Sequence, residues 1–174
     1  MKFKIKQEGV LRATGYMTIL RREDIVTLKK RALQTRRKRI RICVHRSDEE
    51  IVQEMFIVHA KNTYVRPHKH LFKKESLHIM EGRADILLFN KKGNVQKVIP
   101  MGDLRSGLTF YLKLENPTYH SMIISSETLV FMEITNGPFR KNETAFAPWS
   151  PDESDYDAVR VYRENLMNDV NSMK

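Results

Sequence analysis

The sequence predicts an all-β fold, a jelly-roll barrel, with one helix before it and one after it. Three observations carry that prediction. Between about residues 64 and 134, short segments rich in apolar and β-branched residues recur roughly every ten residues, separated by turn formers. The segments at the two ends switch to the helical period of apolar residues. The chain has 174 residues and is 41% hydrophobic, enough for one packed core and no obvious second one.

The elements follow in order. Residues 1–20 read as a strand-and-turn extension. Residues 22–34 read as a helix, with Ile25, Leu28, Ala32 and Leu33 near helical spacing and charges between them. Arg39 to His45 alternates Ile40, Ile42 and Val44 against basic residues, a strand with one dry face. Glu54 to His59 is a second strand. Further strands are expected near 64–70, 75–80, 83–89, 95–99, 108–114, 119–124 and 128–134. Turns fall at Glu81-Gly82, Lys92-Gly93-Asn94, Gly102-Asp103, Asn116-Pro117 and Ser125-Ser126. Two antiparallel sheets rolled around a common interior fit this series. Ser150-Pro151-Asp152-Glu153 has the form of a capping box, and Val159, Tyr162, Leu166 and Val170 then recur at helical spacing. A closing helix over about 152–170 follows. The expected organisation is a single domain over 1–174: extension and helix at 1–35, barrel at 36–149, closing helix at 150–174.

The chemistry concentrates in Pro67-His68-Lys69-His70, followed by Glu75 and Gly82, a pattern of H-x-H-x4-E-x6-G. On a strand, residues two apart share a face, so His68 and His70 project side by side. Glu75 can enter from a neighbouring strand, and Gly82 suits the turn that ends it. His120 lies further on, in Asn116-Pro117-Thr118-Tyr119-His120. Three imidazoles and one carboxylate are a set for a divalent transition metal; iron, manganese, zinc and nickel all fit. Four such ligands on an octahedral ion leave two positions for water or substrate. His78 has the wrong strand parity to join Glu75, and His59 reads as structural.

The motif pair resembles the cupins, and within them the WbuC-type cupin-fold metalloproteins. The resemblance runs through Tyr64-Val65-Arg66-Pro67-His68-Lys69-His70, Lys73-Lys74-Glu75, Leu87-Leu88-Phe89, Val130-Phe131-Met132-Glu133, Gly137-Pro138-Phe139 and Phe146-Ala147-Pro148-Trp149-Ser150-Pro151. It spans residues 20 to 155. Two places depart from the family pattern. The turn before His120 lacks a glycine, and Cys43 stands in Arg39-Ile40-Arg41-Ile42-Cys43-Val44-His45 where the family carries asparagine. The resemblance implies a cupin double-stranded β-helix, a metal at His68, His70, Glu75 and His120, and a link to surface-polysaccharide (O-antigen-type) biosynthesis. It also brings His45 to the pocket as a candidate.

Several neighbours have chemistry to offer. Tyr64 and Arg66 share the parity of His68 and His70, provided Pro67 does not bulge the strand. Arg66 could hold an anion bidentately, and Lys73 could bind a substrate oxygen or orient Glu75. Arg39, Arg41 and Tyr119 complete the candidate substrate-binding set. Glu133 sits in the apolar run Leu129–Ile134 and needs a partner, because a lone buried carboxylate is costly. It and His45 are the candidates for moving a proton.

Charge sets the class of partner. Lysine and arginine total 31 against 21 aspartate and glutamate, a formal +10, which attracts anions. A small anionic metabolite is the expected ligand, a sugar or nucleotide-sugar on the family resemblance. Nucleic acid ranks last, because no aromatic residues interleave with the Arg36–Arg41 basic run. A metal-containing binding or sensor protein without turnover is the alternative to an enzyme. No apolar stretch approaches membrane-spanning length, the single cysteine allows no internal disulfide, and cytoplasm is the expected compartment. Barrel edges and an amphipathic closing helix suit a homodimer.

Overall fold

The structure, a computed structural model, describes residues 3–173. Two β-sheets face each other. The chain enters through β1 (Phe3–Gln7) and β2 (Val10–Ala13), forms helix α1 (Arg22–Gln34), and continues into β3 (Arg39–Cys43) and β4 (Val52–Ala60). Then come β5 (His68–His70), β6 (Glu75–Glu81), β7 (Arg83–Phe89), β8 (Val95–Gly102), β9 (Tyr111–Leu114), β10 (Tyr119–Ile124) and β11 (Thr128–Asn136). A short β12 (Thr144–Phe146) and helix α2 (Tyr156–Ser172) close the chain.

The first sheet runs β1-β2-β3-β4-β11-β6-β9 and the second β12-β5-β10-β7-β8. The eight strands from β4 to β11 divide four and four between the sheets, in the orders 4-11-6-9 and 5-10-7-8. This is the double Greek key of a jelly roll. β1 to β3 extend one edge of the first sheet, and β12 adds an edge to the second through β5.

Alternation along each strand explains both the core and the helices. Cys43, Met55, Ile57, Leu77, Ile79, Ala84, Ile86, Met101, Leu129 and Phe131 point between the sheets and form the main core. Their neighbours of opposite parity point outward. Ile40, Ile42, Val58 and Val130 meet Leu28 and Ala32 of α1. Leu87 and Phe89 meet Leu166 and Val170 of α2. Each fully buried Leu, Ile or Phe contributes about 1.5–3 kcal/mol. Within the described residues, β1, β2 and α1 form where the sequence places the N-terminal extension and helix; Met1 and Lys2 lie outside the described residues. Asp24 accepts from the Arg21 backbone N–H at 2.8 Å and fixes the start of α1.

Helix α2 begins later than the sequence suggests. Asp155, not Ser150, is its N-cap, accepting from the Ala158 N–H at 3.0 Å. Ser150 instead donates to the Ala147 carbonyl at 2.8 Å, and Glu153 pairs with Arg37 and Arg39. The residues of the apparent capping box are thus recruited to tertiary bonds. Gly82 turns β6 into β7 at φ +90, where a Cβ would stand 2.3 Å from the Thr128 carbonyl oxygen; only glycine fits such a position without strain. No helix among the described residues is long and apolar enough to cross a membrane.

Candidate metal centre

Four inward-facing side chains meet between the sheets. His68 and His120 are directly opposite each other on the antiparallel pair β5 and β10, and His70 lies two residues along β5. Their rings stand 4.5 Å (His68–His120), 5.1 Å (His68–His70) and 5.7 Å (His70–His120) apart by centroid. The ligand atoms of the three histidines all lie within 4.8 Å of one another. Glu75 opens β6 in the opposite sheet and reaches across. Its Oε2 is 3.0 Å from His120 Nε2 and 3.6 Å from His70 Nε2.

The backbone fixes which nitrogen faces the centre. His68 Nδ1 lies 2.9 Å from the Arg66 carbonyl oxygen, and His120 Nδ1 lies 2.9 Å from the Thr118 carbonyl oxygen. Each ring donates Nδ1–H to the carbonyl two residues upstream, which leaves the Nε2 lone pair for a ligand. His70 Nδ1 is 3.2 Å from Thr144 Oγ1, supplied by β12. All three rings are therefore oriented from behind.

The residues fit a metal. Glu75 Oε2 and His120 Nε2 are buried 3.0 Å apart; with Nδ1–H given to the Thr118 carbonyl, a neutral His120 turns a lone pair on the carboxylate, so a proton or a metal ion between them is what satisfies both. Leaving two such atoms unsatisfied costs about 1–3 kcal/mol each. Ligand atoms held at about 2.1 Å from one ion and at right angles to each other would be about 3.0 Å apart. A nitrogen and oxygen set suits zinc, iron, manganese or nickel alike.

The electrostatics follow from burial and mutual charge. Burial opposes ionisation of Glu75, yet His120 and the other two histidines outweigh it and lower its pKa. Burial works against a proton on His120, and the Glu75 carboxylate more than offsets it, so its pKa is raised. His68 is pushed down to about 4 by burial and then by His120. Burial also lowers His70, against the pull of Glu75. Behind Glu75, Glu133 is raised by burial and by the Glu75 charge, with Arg41 opposing.

The structure separates the remaining candidates. Tyr64 and Arg66 do not share the inward face, because β5 begins only at His68 and strand parity does not pass back through Pro67. Tyr64 donates to the Pro151 carbonyl at 3.1 Å, and Arg66 bonds Asp152 at 2.6 Å and Ser150. Arg39 bonds Glu153 at 3.2 Å. These three clamp the segment that leads into α2. Tyr119 has the parity opposite to His120 and packs on Trp149 outside the barrel, with Lys69 over its ring. The His45 ring sits against the Glu54 backbone at 3.1 Å, with Arg12, Asp48 and Glu50 as its charged neighbours. Arg41 shares the inward parity of Cys43 and acts on Glu133. Lys73 is buried beside Phe139 and Glu143. Burial lowers its pKa, against the pull of Glu143. His78 is exposed on the outer face and His59 is buried against Phe131, both as their spacing suggests. Thr144 is the supporting residue that the sequence reading missed. The only signal for it is the short β-prone run Thr144-Ala145-Phe146.

A family model described as a domain of unknown function (DUF6016) matches residues 20–101, just under half the chain. It includes His68, His70 and Glu75 and stops short of His120. No curated protein matches. Similar solved structures include an uncharacterized conserved protein with a double-stranded β-helix domain from Klebsiella pneumoniae, 14% identical, covering 63% of this chain and 79% of that one at TM-score 0.49. A cupin superfamily protein from Desulfitobacterium hafniense is 16% identical over 56% of this chain and 76% of that one, TM-score 0.44. A mutant oxalate decarboxylase from Bacillus subtilis is 17% identical over 56% of this chain and 24% of that one, TM-score 0.46. None of the three reaches a TM-score of 0.5, and the fold assignment rests on the strand order above.

Proposed function

We propose that this chain is a single-domain cupin metalloprotein of the WbuC type. Its reaction is isomerisation or epimerisation, or oxygen-dependent chemistry, on a small anionic sugar or nucleotide-sugar in surface-polysaccharide biosynthesis. One observation carries the metal reading: three oriented imidazoles and a buried carboxylate converge on one point, with Glu75 Oε2 and His120 Nε2 facing each other 3.0 Å apart. The sugar and pathway assignments rest on the motif resemblance alone. The basic net charge favours an anionic ligand.

A bound divalent ion supplies Lewis acidity to a substrate oxygen. The chain's own residues do the rest. His68, His70, Glu75 and His120 hold the ion. Thr144 and the Arg66 and Thr118 carbonyls keep the three rings in register. Glu133 is the group we assign to hold and return a proton, because burial and the adjacent Glu75 charge favour its protonated form. We place the protein in the cytoplasm as a homodimer, and exposed Met80, Tyr111 and Ile134 on the first sheet offer an apolar face for a second copy.

The test is elemental analysis of protein purified without chelator or affinity-tag metal, repeated on His68→Ala and His120→Ala. Near-stoichiometric metal in the parent and loss in both variants, with circular dichroism unchanged, is the expected result. Metal retained by either variant would show the ligand set to be wrong. Tight metabolite binding with no product would identify a sensor in place of an enzyme.

A further inference from the structure

Most cations near this end of the barrel have close anionic partners. Arg12 and Lys6 bond Asp48, and Arg66 bonds Asp152. Arg140 forks onto Glu49 with contacts of 2.7 and 2.9 Å. Lys73 is different. Its side chain is only 4% exposed, and its nearest carboxylate oxygen, Glu143 Oε2, stands 3.8 Å away. That is longer than a hydrogen bond. The other contact is the face of Phe139, 4.7 Å from Nζ to the ring centroid. An ammonium carries three donors. Here they are partly withdrawn from water, with Glu143 as a loosely placed ionic partner, and partial desolvation has a cost for a charge.

The position gives that cost a purpose. Lys73 sits in the four-residue connection between His70 and Glu75, and its charge acts on both His70 and Glu133. Two ligands of the cluster therefore lie within three residues of Lys73 along the chain. Phe139, whose ring faces Nζ, is exposed at its outer side, and Phe72, the next residue in the chain, is exposed as well, an apolar rim for a small molecule to cross. Glu143 is on a one-turn 3-10 segment (Lys141–Glu143), and its side chain is 24% exposed. A loosely held, partly solvated carboxylate is a counter-ion that an incoming anion can displace.

We propose that Lys73 is the anion-binding arm of the metal centre: it takes one oxyanion end of a compact ligand whose other end meets the four-residue cluster. The ligand class is a small anion bearing a phosphate or carboxylate, an anionic sugar of the proposed function among them, with phosphate and malonate as its simplest probes. This rests on the metal reading and adds the group that selects the ligand.

The experiment is calorimetric titration of zinc-loaded protein with malonate and with inorganic phosphate, on the parent, Lys73→Met and Glu143→Gln. Zinc content is measured first on each. A parent that takes no zinc would overturn the metal reading itself. With zinc present, the parent binds malonate or phosphate. Lys73→Met weakens that binding about 10- to 100-fold, the worth of a lost charge-assisted hydrogen bond. Glu143→Gln, a change at a partly exposed side chain, strengthens it by removing the competing anion. Binding of neither probe by the zinc-loaded parent, equal affinity in Lys73→Met with equal zinc, or weaker affinity in Glu143→Gln would each overturn the assignment.

Discussion

His59 supplies a quantitative test of the barrel interior. It sits in β4 opposite Arg39 and Leu129, edge-on to Phe131 at 5.2 Å between centroids. Its Nδ1 is buried without a hydrogen-bond partner. Burial, reinforced by Arg37, pushes its pKa down from 6.5 to about 3. The unfolded chain, with an ordinary imidazole, takes up a proton as pH falls through 6.5, and the folded chain does not until near 3. Between these values the unfolded state binds more protons, so stability falls with falling pH by about 1.4 kcal/mol per unit. From pH 7 to pH 5 the loss from this one residue is roughly 2 kcal/mol. For a protein of this size that is roughly 4–8 °C in Tm. Urea unfolding of metal-free protein at both pH values, compared with His59→Leu, isolates the effect, because the site histidines titrate in both proteins. The variant should lose about 2 kcal/mol less than the parent on acidification. Equal losses would refute the reasoning, since they would mean that His59 accepts a proton in the fold as readily as in the unfolded chain.

The other predictions concern the turn and the metal. Gly82→Ala forces a Cβ against the Thr128 carbonyl at φ +90 and should cost on the order of 2–3 kcal/mol in urea unfolding; a cost under half of that would mean the turn can relax. Thr144→Val removes the oxygen 3.2 Å from His70 Nδ1. It should weaken metal binding about 10- to 100-fold in a chelator competition while the unfolding midpoint of metal-free protein barely moves. Metal affinity should also fall on acidification. Glu75 is lowered and stays ionised, but His120 is raised and must shed its proton to bind an ion, so affinity drops by up to about tenfold per pH unit below that pKa. Unchanged affinity between pH 7.5 and 5.5 in the same competition would argue against imidazole ligands.

What could be read in the sequence was set by local periodicity. The alternation of Ile40 and Ile42 against Arg39 and Arg41 fixed which face of β3 meets α1, and the same rule put His78 outside and Glu75 inside. The parity rule failed where the strand itself stopped. Residues 64–67 are not in the sheet, so Tyr64 and Arg66 are free to turn toward residues 150–152. The capping reading of Ser150 and Glu153 failed for a different reason. Two arginines far away in sequence claim Glu153, and no local pattern can disclose a partner more than a hundred residues distant. Thr144 was hidden for the same reason, since its role exists only because β12 pairs with β5.

The jelly-roll order explains why four ligands so unevenly spaced can serve one ion. β5 and β10 are neighbours in the second sheet and place His68 directly opposite His120, although 51 intervening residues separate them. Glu75 belongs to the other sheet and approaches from across the interior, so the centre ties the two sheets together at one end of the barrel. An ion at that point would act as a cross-link between sheets as well as a chemical group. Binding to the native state alone adds about 2.7 kcal/mol at a hundredfold excess over Kd. It would do so where a buried carboxylate and a buried imidazole otherwise depend on a shared proton. The same feature that marks the site as chemical therefore makes the metal-free barrel the less stable form.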